Sequence, residues 1–146
     1  IGTTVETACV SDAGTATTYT ADGALQFEGA ADTTYKIDQY AIFQGDAASD
    51  LKVGFTIPAG TMHLTVEGAL TSVASGSDYD RFLTLTSSGA TTVVGIAGPS
   101  TPIAVRISGV IHLTSAGTVS FGWAPNGSGG SGVTRLARSQ LYYRAA

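Results

Sequence analysis

Charge is the scarcest commodity in this chain. Only 12% of its 146 residues are Asp, Glu, Lys or Arg, about half the ~25% of an average globular domain. What charge there is lies unevenly. Residues 1–50 hold eight acids and a single base, Lys36, whereas residues 81–146 hold five arginines and no acid at all. Those arginines are too dispersed for a basic cluster, so no nucleic-acid partner is expected. The distribution points instead to complementarity between an acidic and a basic part, within the domain or between copies. Cysteine is limited to Cys9, which excludes an internal disulfide and a multi-thiolate metal centre. Cys9 itself reads as a small buried or strand-edge thiol. No run of about 18 apolar residues is present, so no membrane-spanning helix and no membrane partner is expected. No basic-then-apolar leader opens the chain. The chain begins at Ile1 and its one methionine is Met62, which reads as a trimmed or excised piece of a longer product.

Polarity is carried instead by Thr, Ser and Gly, with 19 glycines, while 43% of residues are hydrophobic. β-Branched and aromatic residues suit a pleated sheet, and glycine suits the turns between strands. The length matches one domain. Residues 1–23 lack clean periodicity and read as an extended N-terminal arm or a weak first strand. Alternation starts near residue 24, with loops at 71–80 and 125–132 and a last strand near 135–144. Leu25 and Phe27 oppose Gln26 and Glu28. Tyr35, Ile37, Ala41 and Phe43 oppose Lys36 and Asp38. Leu51, Val53, Phe55 and Ile57 form a run closed by Pro58 and Gly60. Met62, Leu64 and Val66 oppose His63 and Glu67. Ile103, Val105, Ile107, Ile111 and Leu113 share one parity, with Gly109 as a bulge or bend. Period-two patterning of this kind marks half-buried strands. The expected fold is all-β: an antiparallel β-sandwich of about eight or nine strands over residues 24–146, most simply a jelly roll.

No constellation points to catalysis, and the chain is read as a non-enzyme without cofactor or metal. His63 and His112 sit mid-strand on the polar parity, and two imidazoles without a third ligand do not make a zinc site. No Gly-x-Ser-x-Gly elbow is present. Asp78, Tyr79 and Asp80 form the compact acidic feature, on a loop spanning 71–80. They are the candidate cation or ligand loop, although a calcium site needs six to eight oxygens. Asn126, in Asn126-Gly127-Ser128, joins them as a loop candidate. It matches a glycosylation acceptor but is read as a turn. A second candidate set consists of large apolar residues at the polar parity: Tyr40, Ile42, Phe82, Val110 and Tyr142. A contiguous apolar patch of this kind marks an interface, so self-association is expected.

The stretch Tyr35-Lys36-Ile37-Asp38, followed by Asp50-Leu51-Lys52-Val53-Gly54-Phe55-Thr56-Ile57-Pro58-Ala59-Gly60, resembles a segment of small virion proteins from tailed bacteriophages. Ala116-Gly117-Thr118-Val119-Ser120-Phe121-Gly122-Trp123-Ala124-Pro125-Asn126 and Ser139-Gln140-Leu141-Tyr142-Tyr143-Arg144 are similar to their endings. Pro125 stands where those proteins carry Gln, and the loop after it is rich in Gly rather than Thr. The resemblance covers about residues 24–146. It implies a jelly roll like the heads of tumour necrosis factor and C1q, assembled as a homotrimer. It also implies a location on the virion: a capsid decoration (cement) protein bound to the major capsid protein on the outer shell. A tail-fibre or minor tail protein that binds tail proteins and a host-surface glycan is the alternative. A bacterial carbohydrate-binding or adhesin module is the third.

Overall fold

A computed structural model describes residues 2–5, 10–12, 17–69, 71, 81–127 and 132–146; for residues 2–5, 10–12, 81 and 82 only the backbone is described. The described residues form strands, turns and bends, with no helix. The strands are β1 (Gly2–Val5), β2 (Val10–Asp12), β3 (Thr20–Gly29), β4 (Thr33–Gly45), β5 (Leu51–Thr56) and β6 (Gly60–Gly68). They continue as β7 (Arg81–Leu85), β8 (Thr91–Val94), β9 (Ile103–Leu113), β10 (Gly117–Pro125), β11 (Val133–Arg135) and β12 (Gln140–Ala145).

The strands build two antiparallel sheets. The larger has eight strands with the path β1-β12-β4-β9-β6-β7, and β11 adds beside β4 and pairs in turn with β2. The smaller runs β3-β10-β5-β8. Successive strands repeatedly switch sheets, as β3 to β4, β4 to β5, β5 to β6 and β9 to β10 do. The protein is therefore a β-sandwich. The period-two pattern explains it: each alternating strand has one apolar face, and two such faces are buried by laying one sheet on the other.

The inner faces follow the predicted parity. Leu25, Phe27, Ile37, Phe43, Val53, Phe55, Leu64, Val66, Ile107, Ile111, Val119 and Leu141 are all buried. Aromatic rings fill the two ends. Phe27 stacks on Tyr143 at 3.8 Å between ring centroids and meets Tyr35 edge-on at 5.1 Å. Phe43 meets Trp123 edge-on at 5.3 Å, and Phe121 lies 5.7 Å from Phe55. The edge-on and tilted pairs match the ring quadrupoles.

The expected bulge at Gly109 is not found. Register runs unbroken through Ile37↔Gly109 and Leu64↔Gly109. Gly109 instead has φ +149, and a Cβ there would lie 2.1 Å from the His63 carbonyl oxygen. Glycine is required because β6 approaches too closely for any side chain. The one register shift along β10 falls between Ser120 and Gly122, against β3.

Segment 17–19 crosses the outer face of the smaller sheet before β3 begins. Gly54 and Gly122 are direct partners there, and together they leave a notch in which the Tyr19 ring lies. A Cβ on Gly122 would meet Tyr19 Cζ at 2.4 Å, and one on Gly54 would meet Tyr19 Cε2 at 3.3 Å. Lys52 Nζ donates to the Thr17 carbonyl at 2.9 Å, and the Tyr19 hydroxyl lies 3.5 Å from Thr56 Oγ1. Burial pushes the Tyr19 phenol above its usual value of 10.0, partly offset by the Thr56 contact.

Candidate functional site

The outward parity of the larger sheet collects the polar and the misplaced apolar residues on one surface. Directly opposed residues of a sheet share a face, so register alone lays out this surface in rows. One row runs Gln140, Tyr40, Arg106, Glu67 across β12, β4, β9 and β6. The next runs Tyr142, Asp38, Ser108, Thr65, and the third Arg144, Lys36, Val110, His63. Tyr40 is 45% exposed, Tyr142 42% and Val110 39%.

Tyr40 and Tyr142 are therefore diagonal neighbours, at the spacing of about 7–8 Å that aromatic side chains span. The Tyr142 hydroxyl donates to Gln140 Oε1, which fixes that ring over β12. Val110 stands apart from the two tyrosines, two rows from Tyr40 and one strand beyond Lys36. Ile42 points to the same face but is half-buried. The 136–139 turn meets its backbone: Ile42 N–H donates to Ser139 Oγ at 3.1 Å, and its carbonyl accepts from Leu136 N–H at 2.7 Å. Phe82 occupies the register position opposite Glu67, and its side chain lies outside the described residues. Of the five predicted interface residues, the fold thus brings Tyr40 and Tyr142 side by side.

The same surface carries an exposed ion pair. Arg106 Nε and Nη2 donate to Asp38 Oδ1 and Oδ2 at 3.0 and 3.3 Å. The Asp38 carboxylate accordingly raises the Arg106 pKa above its ordinary value. Both side chains are about half exposed, 50% and 53%, so the pair stabilises the fold by at most about 1 kcal/mol.

A groove of about 270 Å3 opens over the seam between β4 and β12, lined by Lys36, Ile37, Asp38, Tyr142, Tyr143 and Arg144. Lys36 and Arg144 are direct cross-strand partners and both are exposed. No acidic group lies within ion-pair distance of either among the described residues.

Asp78, Tyr79 and Asp80 lie outside the described residues. Asn126 is exposed, and its N–H donates to the Ser49 carbonyl at 2.9 Å while Gly127 N–H donates to the same oxygen at 2.8 Å. That bend ties the end of β10 to the β4–β5 loop. His63 is exposed, and His112 is half-buried with Nδ1 3.0 Å from Thr34 Oγ1. Among the described residues no three His, Cys, Asp or Glu side chains group as metal ligands.

Two buried polar features escaped the sequence. Asp22 on β3 accepts from Arg135 Nε on β11, from Arg135 Nη2 at 3.4 Å and from Trp123 Nε1 at 3.1 Å. Arg135 is fully buried and the Asp22 side chain is 7% exposed, so this ion pair crosses the core from one sheet to the other. Both ion pairs join an acid of the first 50 residues to an arginine beyond residue 81. The unequal charge distribution thus resolves, in part, inside the domain. Gln39 is also fully buried, at the inward position opposite Ile107 and Leu141. Neither of its amide atoms has a hydrogen-bond partner among the described residues.

No family model, curated protein or solved structure matches this chain.

Proposed function

We propose that this chain is a non-enzymatic structural protein of a tailed-phage virion: a jelly-roll module that trimerises and decorates the outer shell. The observation that carries the reading is the pair of exposed tyrosines, Tyr40 and Tyr142, side by side on the outer face of the larger sheet. Exposed aromatic rings clustered on a flat sheet face are what an interface uses: large apolar area at small entropic cost. Strand order supports the jelly roll. With β2, β11 and the β6–β7 hairpin set aside, the sheets run β1-β12-β4-β9 and β3-β10-β5-β8, the interleaved order of two Greek keys. The motif resemblance around residues 35–60 and 116–144 supports the virion. In this reading each trimer holds several shell subunits at once, so modest contacts add through multivalency.

The decisive experiment is the stoichiometry of the chain in purified particles, by quantitative gel or mass spectrometry. A copy number comparable with that of the major shell protein is expected. A copy number that is a small fraction of it contradicts decoration and favours a tail protein.

A further inference from the structure

Lys36 and Arg144 pose a physical puzzle. Like charges directly opposite on one sheet face repel and destabilise the pairing. Among the described residues the acid near them on that face is Asp38, which also lines the groove but has both oxygens engaged by Arg106 at 3.0 and 3.3 Å. The two cations thus line a groove of about 270 Å3 as cross-strand partners, and among the described residues no acid lies within ion-pair distance of either. Beside them stands the Tyr142 ring, 42% exposed and fixed by its bond to Gln140 Oε1. A guanidinium and an ammonium converge on carboxylates through charge-assisted hydrogen bonds. An exposed aromatic face offers a platform for an apolar surface. The volume fits a ligand the size of a single sugar rather than a polymer.

We infer that the β4–β12 groove is a binding site for a small carboxylate-bearing saccharide: Lys36 and Arg144 take the carboxylate, and Tyr142 packs on the sugar ring. An added carboxylate also relieves the repulsion between the two cations, so the site gains from binding what the empty fold lacks. The site shares Tyr142 with the self-association face, so saccharide and a second copy compete for that ring; it does not use Tyr40, so Tyr40→Ser separates the two readings.

The test is a titration of the full chain with free glucuronate, followed by heteronuclear NMR. Glucose and inorganic phosphate serve as comparison ligands. Saturable shifts at Lys36, Arg144 and Tyr142 are expected, with a dissociation constant of about 1 mM. Lys36→Gln and Arg144→Gln should each weaken binding roughly tenfold, while Arg138→Gln, on the distant 136–139 turn, should leave it unchanged. Tyr142→Ala should weaken glucuronate more than phosphate. Tyr40→Ser should abolish self-association by light scattering yet preserve glucuronate binding, so failure of the assembly reading leaves this site testable. Absence of saturable shifts with glucuronate overturns the inference. So does equal binding of glucose, or of phosphate with no dependence on Tyr142.

Discussion

Replacing Asp22 with alanine removes one partner of the ion pair that spans the core. The Arg135 guanidinium it faces is fully buried, and Asp22 itself is 7% exposed, so solvent screening does not soften the loss. Removing one member of a buried pair costs about 3–5 kcal/mol. The change also takes the acceptor from Trp123 Nε1 at 3.1 Å and from Ala24 N–H at 3.0 Å. Domains of this size are stable by roughly 5–15 kcal/mol in total, so the variant should remain folded but lose a large part of its margin. At about 2–4 °C per kcal/mol, the expected fall in melting temperature is about 6–20 °C. Differential scanning calorimetry of Asp22→Ala, Arg135→Met and the double variant provides the measurement. The double variant should cost less than the sum of the singles, because it removes both charges. An Asp22→Ala variant within about 0.5 kcal/mol of the parent, the range of an ordinary surface change, would refute the reasoning.

Three other outcomes follow from single sites. Gly122→Ala places a Cβ 2.4 Å from Tyr19 Cζ and 2.7 Å from the Thr20 carbonyl. It should destabilise the fold by about 1–3 kcal/mol and speed chymotryptic cleavage after Tyr19. Gln39→Met replaces a buried amide without partners among the described residues by an apolar side chain of similar shape, and denaturant unfolding should show a gain of about 1–3 kcal/mol. Tyr19 should titrate above the usual tyrosine value of 10.0 in an ultraviolet pH titration. Its phenol is raised by burial above 10.0, so the folded state favours the neutral form. That contribution is complete below the usual tyrosine pKa and is lost as pH climbs through the raised value. A Tyr19 signal that titrates at or below 10.0 would contradict its seat on Gly54 and Gly122.

Much of the sandwich is legible in the chain because period-two alternation reports burial directly. The runs Leu51–Ile57 and Ile103–Leu113 are inward at the parity read from the sequence. Alternation reports faces rather than partners, and this bounds what it can reveal. The structure has twelve strands among the described residues, against the eight or nine expected. Two of the extra strands, β1 and β2, lie in the Thr- and Ala-rich start, whose small residues carry no alternation. The third arises because the last segment divides into β11 and β12 at a turn where Arg138 has φ +71, a conformation arginine does not advertise. Gly109 was readable as special but not as a close approach, since the His63 carbonyl that forbids a side chain belongs to another strand. The ion pair of Asp22 and Arg135 joins residues 113 positions apart, beyond any local pattern. On the candidate face, wrong parity located Tyr40, Val110 and Tyr142 as exposed apolar groups. The groove and its opposed cations required the register Lys36↔Arg144, which no single-strand pattern contains.

The central claim, that this sandwich assembles through the outer face of its larger sheet, is tested most directly by sedimentation equilibrium of the chain beside Tyr40→Ser/Tyr142→Ser. Both substitutions lie on that surface and leave the core intact. The account predicts a parent mass of three times 14.7 kDa and a monomeric double variant with an unchanged circular dichroism spectrum. A parent that stays at 14.7 kDa at high concentration, or a double variant that keeps the parent's trimeric mass, would contradict it.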